Sequence, residues 1–159
     1  MLEKAEIHGA ITRQENTYVG LANSKDQPPL ILRGSAIIRS GSVIYAQSDI
    51  GDDFQTGHNV MVREKTKIGK HVLIGTGTVV DGQMTIGNYV KIESNCYLCT
   101  DMEIGNQCFF GPNVVCTNDR VPLRQRDTYV PTGPIIADNV TIGGGVVLCP
   151  GVRIGAGSF

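Results

Sequence analysis

The sequence predicts an all-β solenoid of stacked parallel strands, and three observations support this. Apolar residues recur at every sixth position from Leu32 to Cys116, and Thr56 is the one polar member of that series. The pair Ile-Gly recurs every 18 residues, starting at Ile50, Ile68, Ile86 and Ile104. Val, Ile, Thr and Gly are poor helix formers, and a six-residue period is not the 3.6 of a helix. Each coil therefore has three flat faces and three corners.

Two columns of side chains are predicted to fill the interior, because alternate residues of a strand face the same side. The column of larger residues reads Leu32, Ile38, Ile44, Ile50, Thr56, Val62, Ile68, Ile74, Val80, Ile86, Ile92, Leu98, Ile104, Phe110 and Cys116. Two positions earlier lies a column of mostly small or β-branched residues, among them Ala36, Ser42, Ser48, Val60, Thr66, Val72, Thr78, Val90, Cys96, Cys108 and Val114.

The corners are marked by glycine and asparagine, which tolerate the positive φ that a tight corner requires. One such column has an 18-residue spacing and reads Asn59, Gly77, Asn95 and Asn113. We expect these four residues to stack along one corner, with φ > 0 in most of them.

The six-residue period stops once, after Cys116, and resumes at Ile136. About fourteen residues are therefore inserted at one corner, and a loop of that length in a compact domain is usually functional or disordered. We predict an N-terminal cap at residues 1–31 and a solenoid at residues 32–159 that carries an inserted loop at 117–135. The cap would cover strand edges that otherwise invite association.

Composition indicates a small domain without a nucleic-acid or membrane surface. A formal net charge of −1 provides no basic surface for nucleic acid. No apolar run approaches the length of a membrane span, and the first residues, "MLEKAEIHGA", carry charges where a signal peptide is apolar. A cytoplasmic location is expected.

The five cysteines are interpreted as reduced thiols rather than as disulfides or metal ligands. The register turns Cys96, Cys108 and Cys116 inward and turns Cys99 and Cys149 outward. Because Cys96 and Cys99 then face opposite sides of the sheet, this C-x-x-C pair is not expected to share a metal ion.

The repeat itself, an aliphatic residue followed by Gly and by a small residue four places later, resembles that of the hexapeptide-repeat acyltransferases. This resemblance implies a left-handed parallel β-helix, an exception to the right-handed crossover rule. It also implies acetyl-CoA as cosubstrate and a homotrimer with sites between neighbouring chains. Relatives continue through a further coil and a proline-containing tail beyond the position of Phe159, so we expect this chain to bind acetyl-CoA more weakly than an extended form.

The segments "FFGPNVVCTND" (109–119) and "VTIGGGVVLCPGVRIGAGS" (140–158) are similar to those of acetyltransferases of small sugars. The "TND" run most resembles N-acetyltransferases that act on nucleotide-linked amino sugars. Their asparagine beside the substrate amine and the thioester corresponds to Asn118, which would hold the amine or the carbonyl. Asp119 is a candidate proton acceptor, and the departing CoA thiolate is the other.

Several further residues are candidates for binding. Guanidinium groups pair with phosphates, so Arg120, Arg124 and Arg126 either bind nucleotide or CoA phosphates or form a solvated loop. Arg63 and Glu64 either contact the acceptor's nucleotide or belong to a charged, solvated face. A run of three glycines forms either a tight turn or a bare surface against which pantetheine lies, and it comprises Gly143, Gly144 and Gly145.

The absence of any histidine after Asn113 favours an amine acceptor. A sugar hydroxyl needs a base to become nucleophilic, whereas an amine needs only to lose its ammonium proton. The related sugar O-acetyltransferases place a basic histidine shortly after the equivalent Phe-Gly-Pro-Asn, and this sequence lacks it. Transfer to a sugar hydroxyl is therefore kept as the first alternative rather than as the main prediction.

A metalloenzyme and a non-catalytic module are two further interpretations of the same fold. A metalloenzyme similar to the γ-class carbonic anhydrases would need converging histidines, whereas His8 lies in the predicted cap and His58 and His71 lie at different offsets of the repeat. No metal site is therefore expected. The inserted loop argues against a non-catalytic β-helix module, because a scaffold gains nothing from an interrupted repeat.

Overall fold

The computed structural model describes residues 2–124 and 127–159. Within these residues the regular elements are 23 short β-strands arranged in three sheets. None of the elements is a helix of the length and apolar character needed to cross a membrane. The chain passes from sheet A to sheet B, then to sheet C, and returns to sheet A one coil further on.

Sheet A contains β1 (Leu2–Glu3), β4 (Tyr18–Ala22), β7 (Val43–Tyr45), β10 (Met61–Val62), β13 (Val79–Val80), β16 (Tyr97–Leu98), β19 (Val115–Cys116) and β22 (Val147–Leu148). Sheet B contains β2 (Ala5–Ile7), β5 (Leu30–Leu32), β8 (Asp49–Ile50), β11 (Thr66–Ile68), β14 (Met84–Ile86), β17 (Glu103–Ile104), β20 (Ile135–Ile136) and β23 (Arg153–Ile154). Sheet C contains β3 (Ile11–Arg13), β6 (Ala36–Ile38), β9 (Phe54–Thr56), β12 (Leu73–Ile74), β15 (Lys91–Ile92), β18 (Phe109–Phe110) and β21 (Thr141–Ile142).

Strands of successive coils pair in parallel with the predicted register. Ile68 lies beside Ile86, and Ile74 lies beside Ile92, so the strand partners follow the spacing of the Ile-Gly pairs. Three stacked parallel sheets joined at three corners form the β-helix that the repeat predicted, and the all-β, left-handed hexapeptide-repeat fold is confirmed. We refer to the edges of this prism as corner AB, corner BC and corner CA, after the sheets that each corner joins.

The interior consists of the two predicted columns. All fifteen residues of the larger column, from Leu32 to Cys116, are at most 4% exposed. Hydroxyl groups of the second column are also buried, and they donate to backbone carbonyls: Thr78 Oγ1 lies 2.9 Å from the Glu93 oxygen, and Ser42 Oγ lies 3.1 Å from the Gly57 oxygen. Their buried polar atoms are thus satisfied inside the coil.

The first coil is longer than the coils that follow it. Ala5 pairs with Leu30 and Ile11 pairs with Ala36, so these partners lie farther apart along the chain than Ile68 and Ile86 do. Strands β2, β3 and β4 nevertheless continue the three sheets, while β1 pairs antiparallel with β4. The regular architecture therefore starts before residue 32, where the six-residue period begins. The division into a cap of residues 1–31 and a solenoid of residues 32–159 stays a prediction.

The predicted corner column is confirmed. Asn59, Gly77, Asn95 and Asn113 have φ values of 55°, 71°, 59° and 61°. Backbone hydrogen bonds connect this corner from coil to coil, including Asn95 N to Thr76 O at 2.8 Å.

Replacing Asn95 provides a test of this corner geometry. Asn95→Ala should lower the free energy of unfolding by about 1 kcal/mol, because alanine is disfavoured at positive φ. Asn95→Gly should lower it less, since glycine adopts positive φ readily. Urea denaturation of both variants provides the measurement. Equal losses for Ala and Gly would show that the backbone conformation of Asn95 does not limit stability.

Candidate active site

The inserted loop is located at corner AB, between β19 and β20. Before the loop, Asn88 N donates to Asn106 Oδ1 of the next coil, 18 residues later. Across the loop, the equivalent bond from Asn106 N to Asp138 Oδ1 spans 32 residues, so this coil contains fourteen additional residues. The predicted insertion is therefore present in the structure. Of the arginines that the sequence placed in this loop, Arg126 lies outside the described residues.

The loop and the last coils line an open cavity of about 410 Å³. Its lining comprises Asn118, Asp119, Arg120, Val121, Tyr129, Val130, Thr132, Pro150 and Gly151. The returning part of the loop is attached to the coils by backbone hydrogen bonds, since Thr132 N donates to Asn118 O at 3.0 Å and Gly151 N donates to Thr132 O at 2.9 Å. The loop and the last coils thus form a single concave surface.

The Asn118 side chain is held on both sides. Its Nδ2 donates to Thr100 Oγ1 at 2.8 Å and lies 3.4 Å from the Thr100 carbonyl oxygen. Its Oδ1 accepts a hydrogen bond from the Tyr129 hydroxyl at 3.1 Å. The asparagine that the sequence singled out therefore lies in the cavity with a fixed side chain.

Asp119 and Arg120 share the cavity with Asn118. Asp119 Oδ1 accepts a hydrogen bond from Val121 N at 2.9 Å, which closes a local turn around the carboxylate. Arg120 Nη2 lies 3.4 Å from the Pro150 carbonyl oxygen, on the opposite wall. Arg124 is exposed and is not among the residues that line the cavity. Of the described arginines that were predicted to bind phosphate, Arg120 is thus the one at the cavity wall.

Arg63 and Glu64 also lie at corner AB, three coils before Asn118. Arg63 Nη2 lies 2.9 Å from Glu64 Oε1, and Arg63 Nη1 lies 3.4 Å from Asp81 Oδ1. Hydrogen bonds to Glu64 raise the pKa of Arg63. Burial by itself would raise the pKa of Glu64, but hydrogen bonds from its own backbone and from Arg63 outweigh burial, and the pKa of Glu64 is lowered. These residues line a separate cavity of about 170 Å³, which reaches Thr100. Thr100 therefore connects the two groups of predicted site residues.

The three consecutive glycines lie at corner CA, in the turn between β21 and β22. Gly145 has φ 71° and occupies the same corner column as Asn113, and the backbone of Gly145 donates to Pro112 O at 2.8 Å. Gly143, Gly144 and Gly145 are all exposed. Sheet A separates this corner from the inserted loop, so a single chain does not bring the glycines and Asn118 together.

The sequence turned Cys99 outward but did not predict that it is buried. Cys99 is 1% exposed, whereas Cys149 is exposed and Cys96, Cys108 and Cys116 are buried as predicted. The returning loop covers the corner at this level: a Cβ on Gly133 would lie 2.5 Å from the Asp101 carbonyl oxygen. Burial raises the pKa of the Cys99 thiol to about 11, so it is protonated at neutral pH.

Sequence analysis also missed Thr100 and Tyr129. Thr100 lies one full coil before Asn118, so the register alone would have identified it as the neighbour in the preceding coil. Tyr129 lies in the inserted loop, where the period provides no information. The period also does not predict the contact of the Tyr97 hydroxyl, which donates to Asp81 Oδ2 at 2.8 Å. Burial and this hydrogen bond raise the pKa of Tyr97 to about 12.

The histidines lie away from the cavity. His58 is exposed at corner CA, with Nδ1 2.8 Å from Ser40 Oγ. His71 is exposed at corner BC, where Nδ1 lies 3.0 Å from Asp53 Oδ2 and the ring stacks on Tyr89 at 4.6 Å between centroids. Both are surface residues, as predicted. Within residues 2–124 and 127–159, no three His, Cys, Asp or Glu side chains converge on a common point.

Comparisons with known proteins agree with the repeat. Residues 47–82 and 84–118 match the family model described as "Bacterial transferase hexapeptide (six repeats)", and the match ends at Asn118, within the first residues of the inserted loop. Galactoside O-acetyltransferase of Lactococcus lactis subsp. lactis (strain IL1403) is 41% identical over 63 residues, which are 37% of this chain. The matched segment spans 30% of that relative's length.

Proposed function

Since the chain belongs to the hexapeptide-repeat acyltransferases, we propose that it transfers an acetyl group from acetyl-CoA to the amino group of a nucleotide-linked amino sugar. The observation that supports an enzyme rather than a scaffold is the cavity at corner AB. There the inserted loop interrupts the repeat, and hydrogen bonds fix the Asn118 side chain. An amine is the acceptor that this cavity supports best, because no histidine is among its described lining residues.

The proposed reaction is direct transfer. The amine nitrogen attacks the thioester carbon, a C–N bond forms, the C–S bond breaks, and CoA leaves as a thiolate. The surplus ammonium proton goes either to that thiolate or to Asp119, the one carboxylate among the described lining residues. One Asp119 oxygen is already bonded to Val121 N, which leaves Oδ2 for this task.

Transfer to a sugar hydroxyl is the second candidate, and the named relative supports it, since that protein is a galactoside O-acetyltransferase. This reaction would require a base beside Asn118. His71 lies at corner BC, and His58 lies at corner CA but four coils before Gly144, so neither is close to Asn118 or to the glycine turn, and Asp119 would have to act as that base.

Acetyl-CoA is proposed to lie between corner CA and corner AB of neighbouring chains. The exposed backbone of Gly143, Gly144 and Gly145 leaves room for the pantetheine arm. Arg120 at the cavity wall, with Arg124 and Arg126 of the same loop, is proposed to pair with phosphates of CoA or of the acceptor. Arg63 and Glu64 are proposed to contact the distal part of the acceptor, three coils away along corner AB.

A homotrimer is proposed because the two halves of this site lie on opposite edges of sheet A. The outward residues of this sheet are apolar in every coil from β7 onward: Val43, Met61, Val79, Tyr97, Val115 and Val147. The corresponding column of sheet B is mostly polar, and it includes Asp49, Lys67, Thr85 and Glu103. Tyr97, Val115 and Val147 are exposed, and Val43, Met61 and Val79 are half-buried. Exposed apolar surface marks interaction sites, and a closed threefold assembly through sheet A would place the loop of one chain near the glycines of the next.

An acceptor panel tests the proposed function. The full chain is incubated with acetyl-CoA and, separately, with a nucleotide-linked amino sugar, with the matching nucleotide sugar that carries a hydroxyl in place of the amine, and with a galactoside. We expect CoA release and an acetylated product with the amino sugar. Turnover of the hydroxyl compounds alone would establish O-acetyl transfer instead, and no turnover of any of the three would contradict the proposal.

A further inference from the structure

We propose that Thr100 and Tyr129 are positioning residues that hold Asn118 in one orientation, with its carbonyl oxygen Oδ1 toward the cavity. The site would then receive a hydrogen-bond donor, the N–H of the acceptor amine, rather than the carbonyl of the thioester. This inference rests on the proposed function and assigns the role of Asn118 within it.

The contacts of Thr100 determine which way the amide faces. A hydroxyl group both donates and accepts, so Thr100 Oγ1 at 2.8 Å tolerates either end of the amide. The Thr100 carbonyl oxygen, however, only accepts, and it lies 3.4 Å from the same side-chain nitrogen. Nδ2 must therefore lie on the Thr100 side, and Oδ1 must face the loop.

Tyr129 holds the other end of the amide. Its hydroxyl lies 3.1 Å from Asn118 Oδ1, and both residues line the same cavity. Burial, and after it the negative charge of Asp119, raise the pKa of Tyr129, so its phenol keeps its proton near neutral pH and acts as the donor. A phenol hydroxyl also accepts hydrogen bonds, so Tyr129 stabilises the orientation that the Thr100 carbonyl oxygen selects and does not select it alone.

This orientation limits what Asn118 does chemically. Both hydrogens of Nδ2 point toward Thr100, so they are not directed at an oxyanion in the cavity. Oδ1 has two lone pairs, and Tyr129 occupies one of them. The second accepts an N–H of the amine, which orients the nitrogen lone pair for attack on the thioester carbon. Asn118 accepts a hydrogen bond but takes up no proton, so the ammonium proton still goes to the CoA thiolate or to Asp119.

Kinetics of five variants, one of them a double variant, test the positioning role. Tyr129→Phe removes one hydrogen bond and keeps the ring, and Thr100→Val removes the hydroxyl and keeps the carbonyl. Each should lower kcat/KM for the amino sugar roughly tenfold, with the KM for acetyl-CoA unchanged. Tyr89→Phe, at corner BC, is the matched control and should leave kcat/KM unchanged. In an Asn118→Ala background, Tyr129→Phe should cause no further loss, whereas a purely structural role of Tyr129 would add its full effect.

A second measurement does not depend on turnover. The side-chain amide signals of Asn118 in ¹⁵N-labelled protein, identified by their absence from Asn118→Ala, should shift in Tyr129→Phe and should exchange faster with solvent in Thr100→Val. Tyr89→Phe should leave them unchanged. Unchanged signals in the first two variants, or an additive loss in the double variant, would overturn the inference. Shifted signals in a protein that acetylates none of the acceptors would instead support the orientation and contradict the proposed function.

Discussion

Asn118→Ala should lower kcat about a hundredfold, while His58→Ala and His71→Ala should retain nearly full turnover. Asn118 is the side chain proposed to contact the reacting amine, and misplacement of a reacting group by about 1 Å costs on the order of 10² in rate. His58 and His71 are exposed at corners other than the one that holds the cavity. Removing solvated surface side chains has little effect on stability or on a distant site.

Steady-state turnover of the amino sugar provides the measurement, and Asn23→Ala is the matched control because Asn23 lies exposed in the loop between β4 and β5. Thermal unfolding of each variant shows whether a loss of activity reflects a loss of fold. A histidine variant without activity but with an intact fold would overturn a mechanism that uses no histidine base. A fully active Asn118→Ala would remove Asn118 from the catalytic residues.

The sequence was sufficient to predict the fold because the fold repeats. Each large core residue is followed by another one hexad later, and each corner residue by another one coil later, so one register accounts for positions from Leu32 to Cys116 and, after the inserted loop, for those from Ile136 to Ile154. The first coil shows where the regular spacing no longer predicts the structure. Its loop at residues 23–29 makes it longer than the later coils, which removes the regular spacing although the strands still pair.

The site was predictable only in part, for the same reason. The end of the period at Cys116 and its return at Ile136 located the loop, and the resemblance selected Asn118. The partners of Asn118 differ in this respect: Thr100 follows from the register, whereas Tyr129 depends on how a non-repeating segment folds back. The burial of Cys99 was missed because the pattern describes the faces of a bare coil, and here a loop covers the corner.

Val79→Glu should convert the proposed trimer into a monomer and abolish turnover. Val79 lies in the outward column of sheet A between Met61 and Tyr97, the face that the proposed threefold assembly buries. A carboxylate without a partner in an apolar interface carries a desolvation penalty of several kcal/mol, which lowers an association constant by roughly 10² or more. Because the inserted loop and the glycines at corner CA lie on opposite edges of sheet A, a monomer would lack half of the proposed site.

Light scattering at micromolar concentration measures the oligomeric state, and calorimetric titration measures acetyl-CoA binding. The matched control is Thr85→Glu, the same charge on the exposed outward column of sheet B, and it should remain trimeric and active. Circular dichroism of Val79→Glu should still show β-structure, since each coil is stabilised mainly by its neighbours. A wild-type protein that is monomeric at micromolar concentration, or a trimeric and active Val79→Glu, would contradict assembly through sheet A. A monomeric Val79→Glu that still acetylates the amino sugar would show that one chain holds the complete site, and Gly143, Gly144 and Gly145 would then have no part in it.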